Sequence, residues 1–269
     1  MDKRLAIIGV GKMGSALARG VIKARLVKAD RMTAFDADGE RLAALARELG
    51  FRPSGGPTEA VEQVDAAILA VKPKVMPQVL EEIAGSAGGR LIISIAAGVE
   101  IATMESALSG DARVIRAMPN IACSVGEGAT AFALGSGASD DDASLAKSLF
   151  EAVGGVVQVE ESKLHAVTGL SGSGPGFLWS VVEGLVEGGV EAGLDRKTAM
   201  DLALRTVVGT ARMLQETHQT PAELRDAVAT PGGTTAAGLA ELEKSDISGA
   251  FRRAVEAAAR RSKELASDS

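Results

Sequence analysis

A doubly wound, mostly parallel α/β sheet followed by an all-helical domain is the architecture predicted for this 269-residue chain. Three observations carry the prediction. Short apolar runs alternate with helical patterns as far as Glu160, the first run opens into a glycine-rich turn, and only helical patterns remain from Glu161 on. Strands alternating with helices imply crossover connections, and crossovers produce parallel sheets covered on both faces. The domain boundary is therefore placed near Glu160, with a sheet domain over 1–160 and a helical domain over 161–269.

The first element is Leu5-Ala6-Ile7-Ile8, a continuous apolar run suited to a strand buried on both faces. It leads into Gly9-Val10-Gly11-Lys12-Met13-Gly14 and then a helical pattern through Ala16, Leu17, Val21 and Ile22. In this setting the glycines allow a tight turn, close approach of a pyrophosphate and close helix–strand packing. A second strand, Met32-Thr33-Ala34-Phe35, ends at Asp36, about 20 residues further on, where a Rossmann unit places the acid that accepts from a ribose hydroxyl. Gly9, Gly11, Lys12, Met13, Gly14 and Asp36 are thus candidate dinucleotide contacts.

The alternation continues with strands over 65–71, 90–95 and 113–117 and helices over 76–83 and 101–108. Each later strand runs into a stiff or small-residue turn: Val71-Lys72-Pro73, Ala96-Ala97-Gly98 and Met118-Pro119-Asn120. These turns fall at the carboxyl edge of the sheet, where open α/β folds bind ligands. Val71, Lys72, Pro73, Ala97, Gly98, Met118, Pro119 and Asn120 are accordingly candidate contacts for a flat cofactor ring, although each turn taken alone reads equally well as a plain connection. Strands over 128–134 and 156–159 flank a helix over 140–152 with an acidic start.

Helices are expected over 161–170, 174–193, 195–217, 220–228, 234–244 and 248–265. In the second of these, Gly184, Gly188 and Ala192 recur every fourth residue and form a smooth strip for another helix. The next is rich in apolar residues through Ala199, Leu202, Ala203, Val207, Val208 and Leu214, more than a half-domain of this size uses for itself. Packing against a second subunit is the expectation. Val228 to Glu243 contains a turn, Thr230-Pro231-Gly232-Gly233, then Thr234 and Thr235, then an apolar helical pattern. A helix N-terminus of this kind can hold a carboxylate on its N–H groups, or serve as an ordinary capped start.

Composition narrows the function classes. Hydrophobic residues make up 46% of the chain but aromatics only 3%, with no tyrosine and one tryptophan, Trp179, so the core must rest on small aliphatic residues. The net charge of −6 is spread without a basic stripe, which argues against nucleic acid as a partner. The single cysteine, Cys123, excludes an internal disulfide and any multi-cysteine metal site, and no metal-ligand grouping is read elsewhere. No signal peptide is read, and the most apolar helix carries Glu183, Glu187 and Glu191, so a cytoplasmic protein without membrane spans is expected.

Taken together, these segments resemble the pyrroline-5-carboxylate reductase family along nearly the whole chain. The resemblance rests on Ile8–Gly14, Ala70-Val71-Lys72-Pro73, Ser94–Val99, Arg116–Asn120, Val167–Pro175 and the P-G-G-T-T stretch. It implies NAD(P)H-dependent reduction of L-1-pyrroline-5-carboxylate to L-proline, and a helical half that forms homodimers, often assembled into decamers. It also implies Thr235 as the active-site threonine, hydrogen-bonded to the ring nitrogen. Thr230, Gly232, Gly233, Thr234 and Ser173 then belong to the substrate site, with Ser171–Pro175 as a second helix start beside the nicotinamide. Gly176 and Phe177 depart from the commoner alanine and tyrosine, so any contact that needs a tyrosine hydroxyl is absent.

Cofactor choice turns on Asp36. A carboxylate there favours a free 2′-hydroxyl over a 2′-phosphate, so the expectation is NADH, even though relatives with Ser or Thr at this place prefer NADPH. Arg41 on the following helix offsets that repulsion if it reaches back. The rivals are a β-hydroxyacid or imine reductase, a flavin-like-cofactor-dependent NADP reductase, and a non-catalytic dinucleotide-sensing dimer. His165 and His218 read as structural and as a solvated loop residue.

Overall fold

The computed structural model describes residues 3–108 and 111–267. Residues 1–2, 109–110 and 268–269 lie outside it, and with them the start of the chain and the end of its polar tail. Eight strands form one sheet: β1 (Leu5–Ile8), β2 (Met32–Phe35), β3 (Arg52–Pro53), β4 (Ala66–Leu69), β5 (Leu91–Ser94), β6 (Arg113–Met118), β7 (Gly128–Leu134) and β8 (Gly154–Gln158). Their order across the sheet is β3-β2-β1-β4-β5-β6-β7-β8. The helices α1 (Lys12–Lys23), α2 (Gly39–Leu49), α3 (Pro57–Glu62), α4 (Met76–Ile83), α5 (Ile101–Ala107) and α6 (Asp140–Glu151) connect them.

Strand β1 shows why its run is apolar throughout. Leu5 and Ile7 belong to a core with Leu17, Val21, Leu45, Leu149 and Phe150, on the side of α1, α2 and α6. Ala6 and Ile8 belong to a second core with Met76, Leu80, Ile83 and Met104, on the side of α4 and α5. A strand with a core on each face has no polar face to present. β7 runs antiparallel to β6, in a sheet otherwise parallel. The link over 119–127 is too short for a parallel crossover, which takes about a dozen residues or more. The two-residue edge pairing of β3 has no counterpart among the strands expected from the sequence.

Beyond β8 the chain is helical: a 3-10 turn (Glu161–Lys163), α7 (Leu164–Val167), a π turn (Thr168–Gly172), α8 (Gly174–Glu191), α9 (Arg196–Thr217), α10 (Pro221–Val228), α11 (Thr234–Lys244) and α12 (Ile247–Ser267). By packing, the chain divides into a sheet unit that runs to Ser173 and resumes from Glu256, and a helical unit, Gly174–Val255. This packing division differs from the boundary read near Glu160, for two reasons. Leu164 is buried in the second core, with Val167 packed against it. The latter half of α12 also joins the sheet unit: His165 Nδ1 lies 3.0 Å from Ser262 Oγ, and both residues are buried.

Within the helical unit, α8 and α9 meet through Val182, Val186 and Val190 on one side and Ala199 and Ala203 on the other. Their close approach is at Gly189, where a Cβ would lie 3.2 Å from that of Ala199. Gly184 and Gly188 instead face open space. Met200, Leu204 and Val208, spaced four apart on α9, are all exposed. Among the described residues, no helix is long and apolar enough to cross a membrane.

Candidate dinucleotide and carboxylate sites

The glycine-rich turn lies at the switch point of the sheet, where β1 has β2 on one side and β4 on the other. Gly9 donates to Phe35 O at 2.7 Å, and Ala70 N–H donates to Ile8 O at 2.7 Å, so the end of β1 is held from both sides. Gly9 adopts φ +93°, and a Cβ there would sit 2.8 Å from Ala70 O. A Cβ at Gly14 would lie 2.0 Å from Gly9 O, which makes Gly14 the packing glycine that lets α1 rest on the strand. Gly11 has nothing within 4 Å of its Cβ position. It therefore leaves room above the start of α1, which no side chain caps. A pyrophosphate fits this combination of space and unused N–H groups.

The open cleft over this helix start has a volume of about 610 Å³ and is lined by Gly11, Lys12, Ser15, Arg41 and Ser124 among others. Lys12 is exposed at the first position of α1, and Met13 packs against the first core. Asp36 is buried beside the cleft. Its Oδ2 accepts from Val10 N–H at 2.7 Å. Its Oδ1 accepts from Asp38 N–H at 2.8 Å and from Arg41 Nη2 at 2.6 Å. Burial opposes ionisation of Asp36, but the hydrogen bonds from Arg41, Asp38 and Val10 outweigh it and hold the carboxyl below its usual range. Ser15 and Ser124 went unread in the sequence; the available signal for Ser15 was its place within the first turn of α1.

The rim residues assemble at the carboxyl ends of β4, β5 and β6. Val71 and Met118 pack against the second core, Pro119 is buried and Lys72 is exposed. Gly98 adopts φ +81°, and a Cβ there would lie 3.5 Å from the backbone of Leu265 and Ala266, so α12 abuts the turn that carries Ala97 and Gly98. Asn120 has a structural task. Pro175 has no N–H to offer the carbonyl of Ser171 four residues back, and Asn120 Nδ2 donates to that carbonyl at 3.1 Å. Asn120 Oδ1 accepts from Ala129 N–H at 3.1 Å, tying the start of β7 to the same point.

The stretch Ser171–Pro175 is not the separate helix start expected from the sequence. The chain stays helical through the π turn, and Ser173 N–H donates to Thr168 O at 2.9 Å. Its N–H is thereby occupied. A Cβ at Gly172 would lie 2.9 Å from Met118 Cε, so this turn adjoins the rim.

In the helical unit the P-G-G-T-T stretch folds as its residues require. Gly233 N–H donates to Thr230 O at 2.9 Å, which closes a turn whose third residue, Gly232, adopts φ +74°. Gly233 is the N-cap of α11 and supplies no side-chain cap. Thr234 and Thr235 occupy the first two helical positions and are exposed. The first turn of α11 is left open to an anion.

His165 is buried, and burial followed by the nearby Arg116 lowers its pKa below the usual 6.5. Arg116, also buried, pairs with Glu161 Oε1 at 2.9 Å. The same oxygen accepts from Ile101 N–H at 2.8 Å, at the start of α5. Cys123 is buried, as its apolar surroundings suggested. His218 ends α9 at φ +56° and is exposed. Among the described residues, no group of three or more histidine, cysteine, aspartate or glutamate side chains is arranged to hold a metal ion.

A glycine-lined cradle at the switch point of a doubly wound sheet is the signature of a dinucleotide-binding protein. Two family models agree with this class. Residues 4–98 match the one described as NADP oxidoreductase, coenzyme F420-dependent, and residues 161–265 match the one described as pyrroline-5-carboxylate reductase dimerisation. The chain is 46% identical to a pyrroline-5-carboxylate reductase of Methanosarcina acetivorans, covering 98% of each. It resembles the solved structure of such a reductase from Coxiella burnetii at 33% identity, with a TM-score of 0.92 over 98% of each chain. A pyrroline carboxylate reductase of Plasmodium falciparum, solved with NADP bound, matches at 29% identity and a TM-score of 0.89, again over 98% of each chain. The chain belongs to the pyrroline-5-carboxylate reductase family. These relatives favour none of the rival readings.

Proposed function

We propose that this protein reduces L-1-pyrroline-5-carboxylate to L-proline with a reduced nicotinamide dinucleotide, as the names of its relatives indicate. The observation that carries the reading is the start of α11, with no side-chain cap at Gly233 and with Thr234 and Thr235 exposed. In this reading the backbone N–H of Thr234 holds the substrate carboxylate, with Thr230 and Gly232 shaping the turn and the Gly233 N–H spent on closing it to Thr230 O. The Thr235 hydroxyl hydrogen-bonds the ring nitrogen and orients the imine carbon. Bound cofactor supplies the hydride; the nitrogen arrives protonated near neutral pH, so no strong protein acid is required. Lys12, Met13 and the three glycines would hold the pyrophosphate, and Val71–Pro73, Ala97-Gly98 and Met118–Asn120 would hold the nicotinamide end.

Asp36 favours a cofactor with a free 2′-hydroxyl, and we propose NADH as the better donor. The exposed stripe Met200, Leu204 and Val208 supports a homodimer through the helical unit, with a decamer as the larger form to look for. A cytoplasmic location completes the reading. The test follows absorbance of NADH and of NADPH with purified protein and L-1-pyrroline-5-carboxylate, and identifies proline as the product. Turnover with neither cofactor overturns the reaction. Thr235→Ala is expected to lower kcat/KM about 100-fold, in the range for a substrate that loses its positioning contact; full kcat/KM in that variant would remove Thr235 from the chemistry.

A further inference from the structure

The carboxylate offered to a ribose is already largely in use. A carboxylate has about four lone-pair positions, and Asp36 has three hydrogen bonds from Val10, Asp38 and Arg41. Its charge is met at 2.6 Å by the Arg41 guanidinium, so the end of β2 does not present a bare negative group. Arg41 is in the opposite position. Its side chain is 48% exposed, and its other terminal nitrogen reaches Asp38 at 3.3 Å. A guanidinium has about five N–H donors in a planar fork matched to phosphate oxygens, and this one lines the open cleft it shares with Gly11, Lys12 and Ser15. At the cleft edge the charges of Asp36 and Asp38 are balanced by those of Arg41 and Lys12. Such an edge neither repels a phosphate strongly nor selects for it strongly.

We propose that Arg41 is the specificity-determining residue that admits a 2′-phosphate at this edge, so that the protein uses NADPH as well as NADH, with only a modest preference between them. The proposal rests on the reductase reading above. Arg41 keeps its bond to Asp36 and offers outward donors to the phosphate, while Lys12 adds charge from the start of α1. Without Arg41, Asp36 and Asp38 face that phosphate unbalanced.

The test is calorimetric titration of the full chain with adenosine 2′,5′-bisphosphate and with adenosine 5′-monophosphate, for the wild type, Arg41→Ala and Arg41→Lys. Loss of a charge-assisted contact predicts that Arg41→Ala weakens the bisphosphate about 10- to 100-fold more than the monophosphate. Arg41→Lys, which keeps the charge but loses the fork, should recover part of that difference. In turnover, the NADPH-to-NADH ratio of kcat/KM should fall in the same order. Equal weakening of both nucleotides, no change in either, or no binding of the bisphosphate by the wild type overturns the proposal. Nucleotide binding that follows this pattern without reduction of the cyclic imine would sink the reaction reading and leave the role of Arg41 standing.

Discussion

The two units of this chain solve the burial problem in different ways. The sheet unit has a core on each face, and several candidate cofactor residues in it are also structural residues: Gly14 seats a helix, Asp36 ties two loops, and Asn120 replaces a donor that proline lacks. The helical unit buries one small cluster, Val186, Ala199 and Ala203, and leaves Leu178, Trp179, Leu204 and Val208 exposed. Its helix start at Gly233 is not used by any side-chain cap. The difference teaches where each unit gets its stability. A unit with two cores holds its own site in shape, whereas one with so little buried surface must be completed by another surface.

The contrast can be broken most directly in the sheet unit. Gly14→Ala puts a carbon 2.0 Å from Gly9 O, against backbone that cannot turn aside. It should cost about 3 kcal/mol or more and abolish dinucleotide binding, read by urea denaturation and nucleotide titration. A stable variant that still binds would show that the turn is looser than its packing implies. Glu161→Ala leaves buried Arg116 without its partner and the start of α5 without its acceptor. Roughly 3 kcal/mol should be lost, because the buried guanidinium is left without its partner; Glu161→Gln, which keeps the acceptor, should lose less.

Sharpening the comparison means perturbing the helical unit without touching a core. Leu204→Lys adds a charge to the exposed stripe of α9. Sedimentation should show self-association weakened about tenfold or more, with little change in the circular dichroism of the dissociated chain. Unaltered association would place the interface on another face. The smallest expected effect is one of pH. His165 titrates in the native chain below its ordinary 6.5, because burial and then Arg116 disfavour its charged form. The unfolded chain therefore binds more protons in the interval just below 6.5, and the stability contributed by neutral His165 is present above that value and lost as pH falls through it. Denaturation midpoints measured across this interval should decline on acidification, and His165→Gln should flatten the decline.

Local pattern made most of the fold legible. β1, β2 and β7 stand where apolar runs predict them, and the helices from α8 to α12 stand within a few residues of their predicted spans. The antiparallel direction of β7 was also within reach, since the length of the link before it rules out a crossover. The candidate site was legible in part. The three glycines announce their own turn through spacing, and P-G-G-T-T announces an open helix start, because both signals are carried by neighbours along the chain.

The sequence by itself determined the succession of elements, the two glycine-bearing helix starts and the family to which they point. Tertiary structure alone decided that Arg41 reaches Asp36, that Asn120 meets Ser171, that Arg116 meets Glu161, and that Ser262 returns to His165. It also decided that the latter part of α12 packs with the sheet unit. Periodicity and turn chemistry act over a few residues and leave a pattern that can be read. Most of these pairings join residues tens of positions apart, and even Arg41 depends on how the loop after β2 turns; each is selected by the close-packed interior that brings its partners together, which leaves no periodic trace in the chain.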